Sequence, residues 1–210
     1  MRTLGRELLM SLVFTLVIGL FVCGVYPVLV WGASRVFAEK ADGSLVVSDG
    51  KVVGSELIGQ HFEGDKYFTS RPSSAGTGYD AANSSGSNLG PLSQKLIDGV
   101  KANVEAYRKQ NDLDEKSPVP ADAVLGSSSG LDPHISEKNA LLQAPRVAKA
   151  RSMREEIVRH YVERYTEIRD LGFLGEPRVN VLLLNLALDQ YPGTANKQPK
   201  GTAKKQPKGP

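Results

Sequence analysis

No charged side chain occurs between Leu8 and Ser34. About 20 apolar residues cross a hydrocarbon core of roughly 30 Å, so this run, built around LLMSLVFTLVIGLFVCGVYPVLV, is long enough for a spanning helix. A charge at the bilayer centre costs about 2.5–3.5 kcal/mol on insertion scales, which is why such a helix must stay charge-free. Tyr26 and Trp31 fall toward its end, where aromatic rings favour the headgroup level. Arg2 and Arg6 ahead of the run also suit a secretory leader, with Val36-Phe37-Ala38 as its cleavage site. The run exceeds the roughly 7–15 apolar residues of a leader, and Arg35 interrupts the approach to that site. The expected organisation is an N-terminal stub at 1–7, a retained anchor at 8–31, one soluble domain at 35–191 and a tail at 192–210.

The tail repeats KQPKG and carries Lys197, Lys200, Lys204, Lys205 and Lys208 without an acid. Its Lys/Pro/Gly/Gln composition cannot repay the entropy of ordering, so it is expected to be disordered. The net charge of +3 comes from this tail, and the rest of the chain is slightly acidic. A nucleic-acid-binding domain is therefore excluded. The single cysteine, Cys23, lies inside the apolar run, so the soluble part holds no disulfide. Arg2 and Arg6 on one side against Arg35 and Lys40 on the other leave the orientation undecided by charge.

Downstream, residues 45–47 and 51–53 are β-branched runs around Asp49-Gly50, a hairpin signal. Residues 54–80 show aromatic residues among turn formers and no sustained period, which predicts irregular structure held by Phe62, Tyr67 and Phe68. A polar loop at 83–91 ends in Pro91, which suits the first turn of a helix over 92–111 with an apolar stripe of Leu92, Leu96, Val100, Val104 and Tyr107. A second loop at 126–130 leads to Asp132 as a helix cap before Pro133. Helices are expected to about Ala144 and again from Pro145 to Ile168, the latter with Glu163 and Arg159 as an opposite-charge pair. Residues 179–184 read as a buried strand, running on into a short helix.

Candidate chemistry is sparse. The loop at 83–90 lacks the lysine and spacing of a phosphate-binding loop. Ser85 or Ser129 with His134 and Asp132 forms a hydrolase constellation, the alternative function, but no G-x-S-x-G elbow is present. Capping and turn roles explain the same residues. His61, His134 and His160 lie far apart with no cysteine partner, which does not predict a metal site. Arg71-Pro72-Ser73 and Glu176-Pro177-Arg178 read as functional charges or as buried arginine pairing. An anchored α+β domain with polar loops and no evident catalytic residue favours an interaction subunit over an enzyme.

Longer strings carry more. GSELIGQHF, YFTSRPS, YDAANSSGSNLGP, SGLDPHIS, QAPRVAKAR and LGEPRVNVLLLNLALD, in this order behind an apolar N-terminus, closely resemble the C-subunit family of the bacterial Kdp complex, a high-affinity potassium-importing P-type ATPase. The resemblance runs to about Asp189, with residues 102–124 fitting loosely and the tail outside it. It implies a single-pass protein of the bacterial inner membrane, with 1–7 in the cytoplasm and the main domain outside. It also implies an accessory, non-catalytic role beside a channel-like potassium-translocating subunit and a P-type catalytic subunit. ATP, Mg and K are then expected in the complex, none held by this chain, and any effect on ATP binding would act through assembly or coupling. Membrane lipid is the remaining expected partner. Ser11, Thr15, Gly19 and Gly24 are the candidate interface residues of the anchor, small or hydrogen-bonding as close helix packing requires. Ser85, Gly86, Asn88, Asp132 and His134 are the partner-facing candidates of the soluble domain.

Overall fold

The computed structural model describes residues 2–192. Of the tail expected at 192–210, residues 193–210 lie outside the described residues. Contacts divide the chain into two units, the first ending at Ser44 and the second beginning at Leu45.

The first unit is helical from Arg2 to Ala41. Helix α1 (Arg2–Gly19) passes through a π-helical segment at Leu20–Val25 into α2 (Tyr26–Ser34), then a 3-10 turn and the short α3 (Ala38–Ala41). The widened turn falls where Pro27 withdraws a backbone donor: the Tyr26 N–H reaches back five residues to the Phe21 carbonyl. The stretch Leu4–Ala41 is long and apolar enough to cross a membrane, and its apolar side chains are exposed.

The second unit mixes helix and sheet, as the α+β reading expects. Strands β1 (Leu45–Ser48) and β2 (Lys51–Ser55) form the hairpin that Asp49-Gly50 signals, both turn residues having positive φ. No regular element follows until α4 (Gln94–Gln110). Helix α4 starts after Pro91 and Leu92, which stay outside it, Leu92 being 94 % exposed. Of the expected stripe, Tyr107 is buried while Leu96, Val100 and Val104 are half-buried. The short α5 (Ala121–Val124) leads to β3 (His134–Ser136) and then to α6 (Glu137–Arg151) and α7 (Glu155–Arg164). Strands β4 (Thr166–Glu167) and β5 (Arg178–Asn180) complete an antiparallel sheet ordered β3-β5-β4, and α8 (Val181–Asp189) closes the domain.

Four expectations are corrected. Asp132 does not cap a helix: its Oδ1 accepts the His134 N–H at 3.0 Å and turns the chain into β3. The cap belongs to Ser136, whose Oγ accepts the Asn139 N–H at 3.1 Å. Pro145 does not begin a helix but sits inside α6, where burial of Ala144, Val147 and Ala148 on the core outweighs one lost backbone bond. The real break is at Ser152, which takes a left-handed φ of 54°, and the Met153 N–H then closes on the Ala148 carbonyl. The expected strand over 179–184 stops at Asn180, whose side chain accepts the Leu183 N–H and starts α8. On α7 the ion pair formed is Arg159 with Glu155, not with Glu163.

Phe68, Ile135, Val147, Val158, Val162, Val179, Leu184 and Leu188 make the core between α6, α7, α8 and the three-stranded sheet. Phe68 comes from the irregular stretch and is completely buried. At roughly 1.5–3 kcal/mol for fully burying such a side chain, this residue pins the loop region to the helices.

Candidate functional site

The irregular segment is positioned by side-chain amides reading its backbone. The Thr69 N–H donates to Gln143 Oε1 at 2.8 Å, and Gln143 Nε2 donates back to the Thr69 carbonyl at 3.3 Å. Gln143 is completely buried and belongs to a polar network inside the domain. Tyr107 Oη donates to Asn139 Oδ1 (2.8 Å), Gln143 Nε2 donates to the same oxygen (2.9 Å) and Arg146 Nη2 donates to Gln143 Oε1 (3.0 Å). Arg146 also holds Asn111 and the carbonyls of Asp65 and Tyr67. Burial pushes the Tyr107 hydroxyl up, helped by the Asp122 charge, and burial pulls the Arg146 guanidinium down against Asp65 and Tyr107. Buried polar groups of this kind stay in the fold because every one is partnered.

Held this way, the chain delivers Arg71 to a line of ionisable side chains. Arg71 Nη1 lies 2.9 Å from Asp132 Oδ2, and its other nitrogens donate to the Leu125 and Gly126 carbonyls. His134 follows on β3: its Nδ1 is 3.7 Å from Asp132 Oδ1 and its Nε2 is 3.9 Å from Glu167 Oε2. Arg178 on β5 pairs with Glu167 at 2.9 Å and with Asp170 at 3.4 Å. Burial raises the Asp132 carboxyl, but hydrogen bonds from His134 and Arg71, with the Arg71 charge, outweigh burial and hold it down to about 2. The line runs along a shallow open groove of about 490 Å³ lined by Arg71, Asp132, His134, Ser136, Pro177 and Arg178 among others.

The two polar loops meet beside it. The Ser85 N–H donates to the Ser129 carbonyl at 3.0 Å and Ser84 Oγ donates to the same oxygen at 2.9 Å. The backbones approach so closely that a Cβ on Gly86 would lie 2.8 Å from the Ser128 oxygen. A Cβ on Gly130, whose φ is +69°, would lie 2.6 Å from the Ser85 oxygen. Ser73 Oγ donates to the Gly130 carbonyl at 2.6 Å and accepts from the Tyr79 N–H, and Tyr79 Oη donates to the Arg71 carbonyl. The phenol of Tyr79 is raised by burial in this cluster.

The soluble-domain candidates thus separate into two neighbourhoods. Asp132 and His134 lie in the charged groove; Ser85 and Gly86 lie in the loop pair; Asn88 is exposed with a φ of 52°. Ser85 Oγ donates to the Gly86 carbonyl and Ser129 Oγ accepts the Leu131 N–H, while both His134 nitrogens face carboxylates. Among the described residues no hydrogen bond joins His134 to a serine. No group of three or more His, Cys, Asp or Glu side chains with metal-holding geometry occurs among the described residues. In the N-terminal helix, Ser11 and Thr15 spend their hydroxyls on the Leu8 and Ser11 carbonyls. A Cβ on Gly19 would meet nothing within 4 Å, and Gly24 sits in the π-helical segment.

Glu167, Gln143, Asn139 and Asn185 were not singled out from the sequence. A signal existed for two of them: Gln143 in NALLQAP and Asn185 in VLLLNLALD are amides at positions where the pattern calls for an apolar residue. Glu167 gave no such signal, because only the sheet register brings it opposite Arg178.

Residues 8–190 match the model of a family described as KdpC, the c chain of K+-transporting ATPase. The potassium-transporting ATPase KdpC subunit of Mycobacterium tuberculosis is 55% identical over 190 residues, which cover 90% of this chain and 98% of the relative. That of Nitratidesulfovibrio vulgaris is 51% identical over 195 residues, 92% of this chain and 97% of the relative. That of Koribacter versatilis is 49% identical over 189 residues, 90% and 94%.

Proposed function

The chain belongs to the KdpC family, the c chain of K+-transporting ATPases, and from that membership we propose that it is a non-catalytic accessory subunit needed for assembly of the pump and for coupling ATP binding to transport. The observation that carries the reading is the extent of the match: it begins at residue 8, inside the apolar helix, and ends at residue 190, so a single family model spans both helix and domain. The apolar helix then crosses the inner membrane once, with the N-terminus in the cytoplasm and the domain outside. A channel-like subunit carries potassium and a P-type subunit binds ATP and Mg.

The site geometry supports a recognising rather than a reacting surface. Arg71, Asp132, Glu167 and Arg178 are all engaged in intrachain pairs, and His134 sits between two of their carboxylates. Such a ladder offers shape and charge pattern to a partner but no nucleophile to a substrate.

The reading is tested by deleting residues 8–30 while keeping the domain. Co-purification with the channel-like subunit from detergent-solubilised membranes should be abolished. Assembly of the helix-less domain at the full-length level would contradict the account.

A further inference from the structure

The loop between β4 and β5 is unusual in what it exposes. Ile168 is 78 % exposed, Leu171 82 % and Phe173 69 %, and Leu174 beside them is also exposed. Solvent-facing apolar side chains so close in sequence mark an interaction site when the backbone holds them in one arrangement. Here it does. Asp170 and Leu174 exchange both backbone hydrogen bonds at 2.9 Å, and Leu171 and Gly172 at the tip take positive φ. The tip is a preorganised miniature hairpin, and docking it costs little ordering entropy.

Its charges are closed off at the base. Arg169 pairs with Glu176 at 2.8 Å, and Arg178 pairs with Glu167 and Asp170. Both arginines are thus spent within the loop, and three acids stand against them. An anionic bilayer surface attracts segments with uncommitted Lys or Arg, and this loop has none to offer. A second copy of the chain is also disfavoured as occupant. Even if each tip side chain buried about 100–150 Å², the four together would fall short of the roughly 800 Å² per partner of a stable pair. A contact of that size serves between chains already held together in one membrane, where the effective concentration is high.

We propose that the tip Ile168, Leu171, Phe173 and Leu174 is an anchor that inserts into an uncharged apolar recess on the extracytoplasmic surface of another subunit of the same ATPase. Phe173 is the aromatic at its centre, a residue type enriched at the core of such contacts. Glu176, Pro177 and Arg178 continue from the tip into the wall of the charged groove, so the groove forms the polar rim of the same interface. The proposal rests on the subunit reading above.

The test places a photo-cross-linking phenylalanine analogue at Phe173 of the tagged full-length chain, expressed with the rest of the complex. The exposed position tolerates the change, and a melting curve of the purified protein checks the fold. Illumination should give an adduct that mass spectrometry identifies as this chain joined to another subunit of the ATPase. An adduct with lipid, an adduct with a second copy of this chain, or no adduct while the complex still co-purifies, overturns the proposal and leaves the subunit reading standing. If the unsubstituted tagged chain recovers no ATPase subunit, the subunit reading falls and this proposal with it.

Discussion

Asn185 closes both backbone hydrogen bonds of Phe68. The Phe68 N–H donates to Asn185 Oδ1 at 2.8 Å, and Asn185 Nδ2 donates to the Phe68 carbonyl at 2.9 Å. Both residues are buried, and 117 positions separate them. An irregular stretch has no ladder of its own, so its buried peptide groups need side-chain partners, and here one amide supplies both. Replacing Asn185 with Leu strands a donor and an acceptor in the core. At about 1–3 kcal/mol for each unsatisfied group, the variant should lose roughly 2–6 kcal/mol of stability. Chemical denaturation of the full chain in detergent reads this directly, and a loss below about 1 kcal/mol would show that the pair is not needed.

Acid should weaken the groove through Asp132. Its folded pKa of about 2 lies below the ordinary carboxylate value of 3.8, so the carboxylate contributes stability above roughly pH 4 that is lost as pH falls toward 2. With Asp132 only half buried, solvent screening leaves a contribution on the order of 1 kcal/mol. Asp132→Asn should remove most of that contribution at neutral pH and flatten the stability profile between pH 4 and 2. An Asn variant that keeps the wild-type acid dependence would assign it to other carboxylates.

Gly130 should tolerate no side chain. Gly130→Ala forces a Cβ against the Ser85 oxygen at a φ of +69°, whereas Gly64→Ala, at φ +91°, meets nothing within 4 Å. The Gly64 change should cost about 1–2 kcal/mol from the backbone alone, and the Gly130 change clearly more. Equal melting shifts for the two variants would refute the close approach of the loops.

Much of this fold is written in local pattern. The apolar run, the Asp49-Gly50 hairpin and the amphipathic phase of α4 depend on near neighbours along the chain. A long apolar helix covers the run, the hairpin forms around its turn, and α4 keeps the phase from Leu96 to Tyr107 while Leu92 falls outside it. Pro145 and Asp132 misled because local propensity was overridden. Pro145 is carried through α6 by the packing of its neighbours, and Asp132 has a tertiary partner in Arg71. The groove was half legible: Arg71, Asp132, His134 and Arg178 stood out as residue types, but their placement along one line needs the register of β3, β5 and β4. The loops around Ser85 and Ser129, where the sequence offers a hydrolase serine or a partner-facing surface, bind each other.

The interior network makes one further claim. Tyr107→Phe removes the hydroxyl that donates to Asn139 Oδ1, yet that oxygen keeps the Gln143 amide as a donor. The expected loss is therefore small, about 0.5–1.5 kcal/mol. Arg146→Met, which strips donors from Asn111, Gln143 and two backbone carbonyls at once, should cost at least twice as much. The same denaturation assay ranks them, and the reverse order would show that Arg146 is not the hub of the network.

The most direct test of the account is potassium-stimulated ATP hydrolysis by the complex purified through a tag on this chain, compared with membranes from cells lacking it. The tagged chain should bring down a P-type ATPase and a channel-like protein, and potassium-stimulated hydrolysis should be lost when the chain is absent. Recovery of the chain alone, with hydrolysis and assembly unchanged by its deletion, would contradict the subunit role.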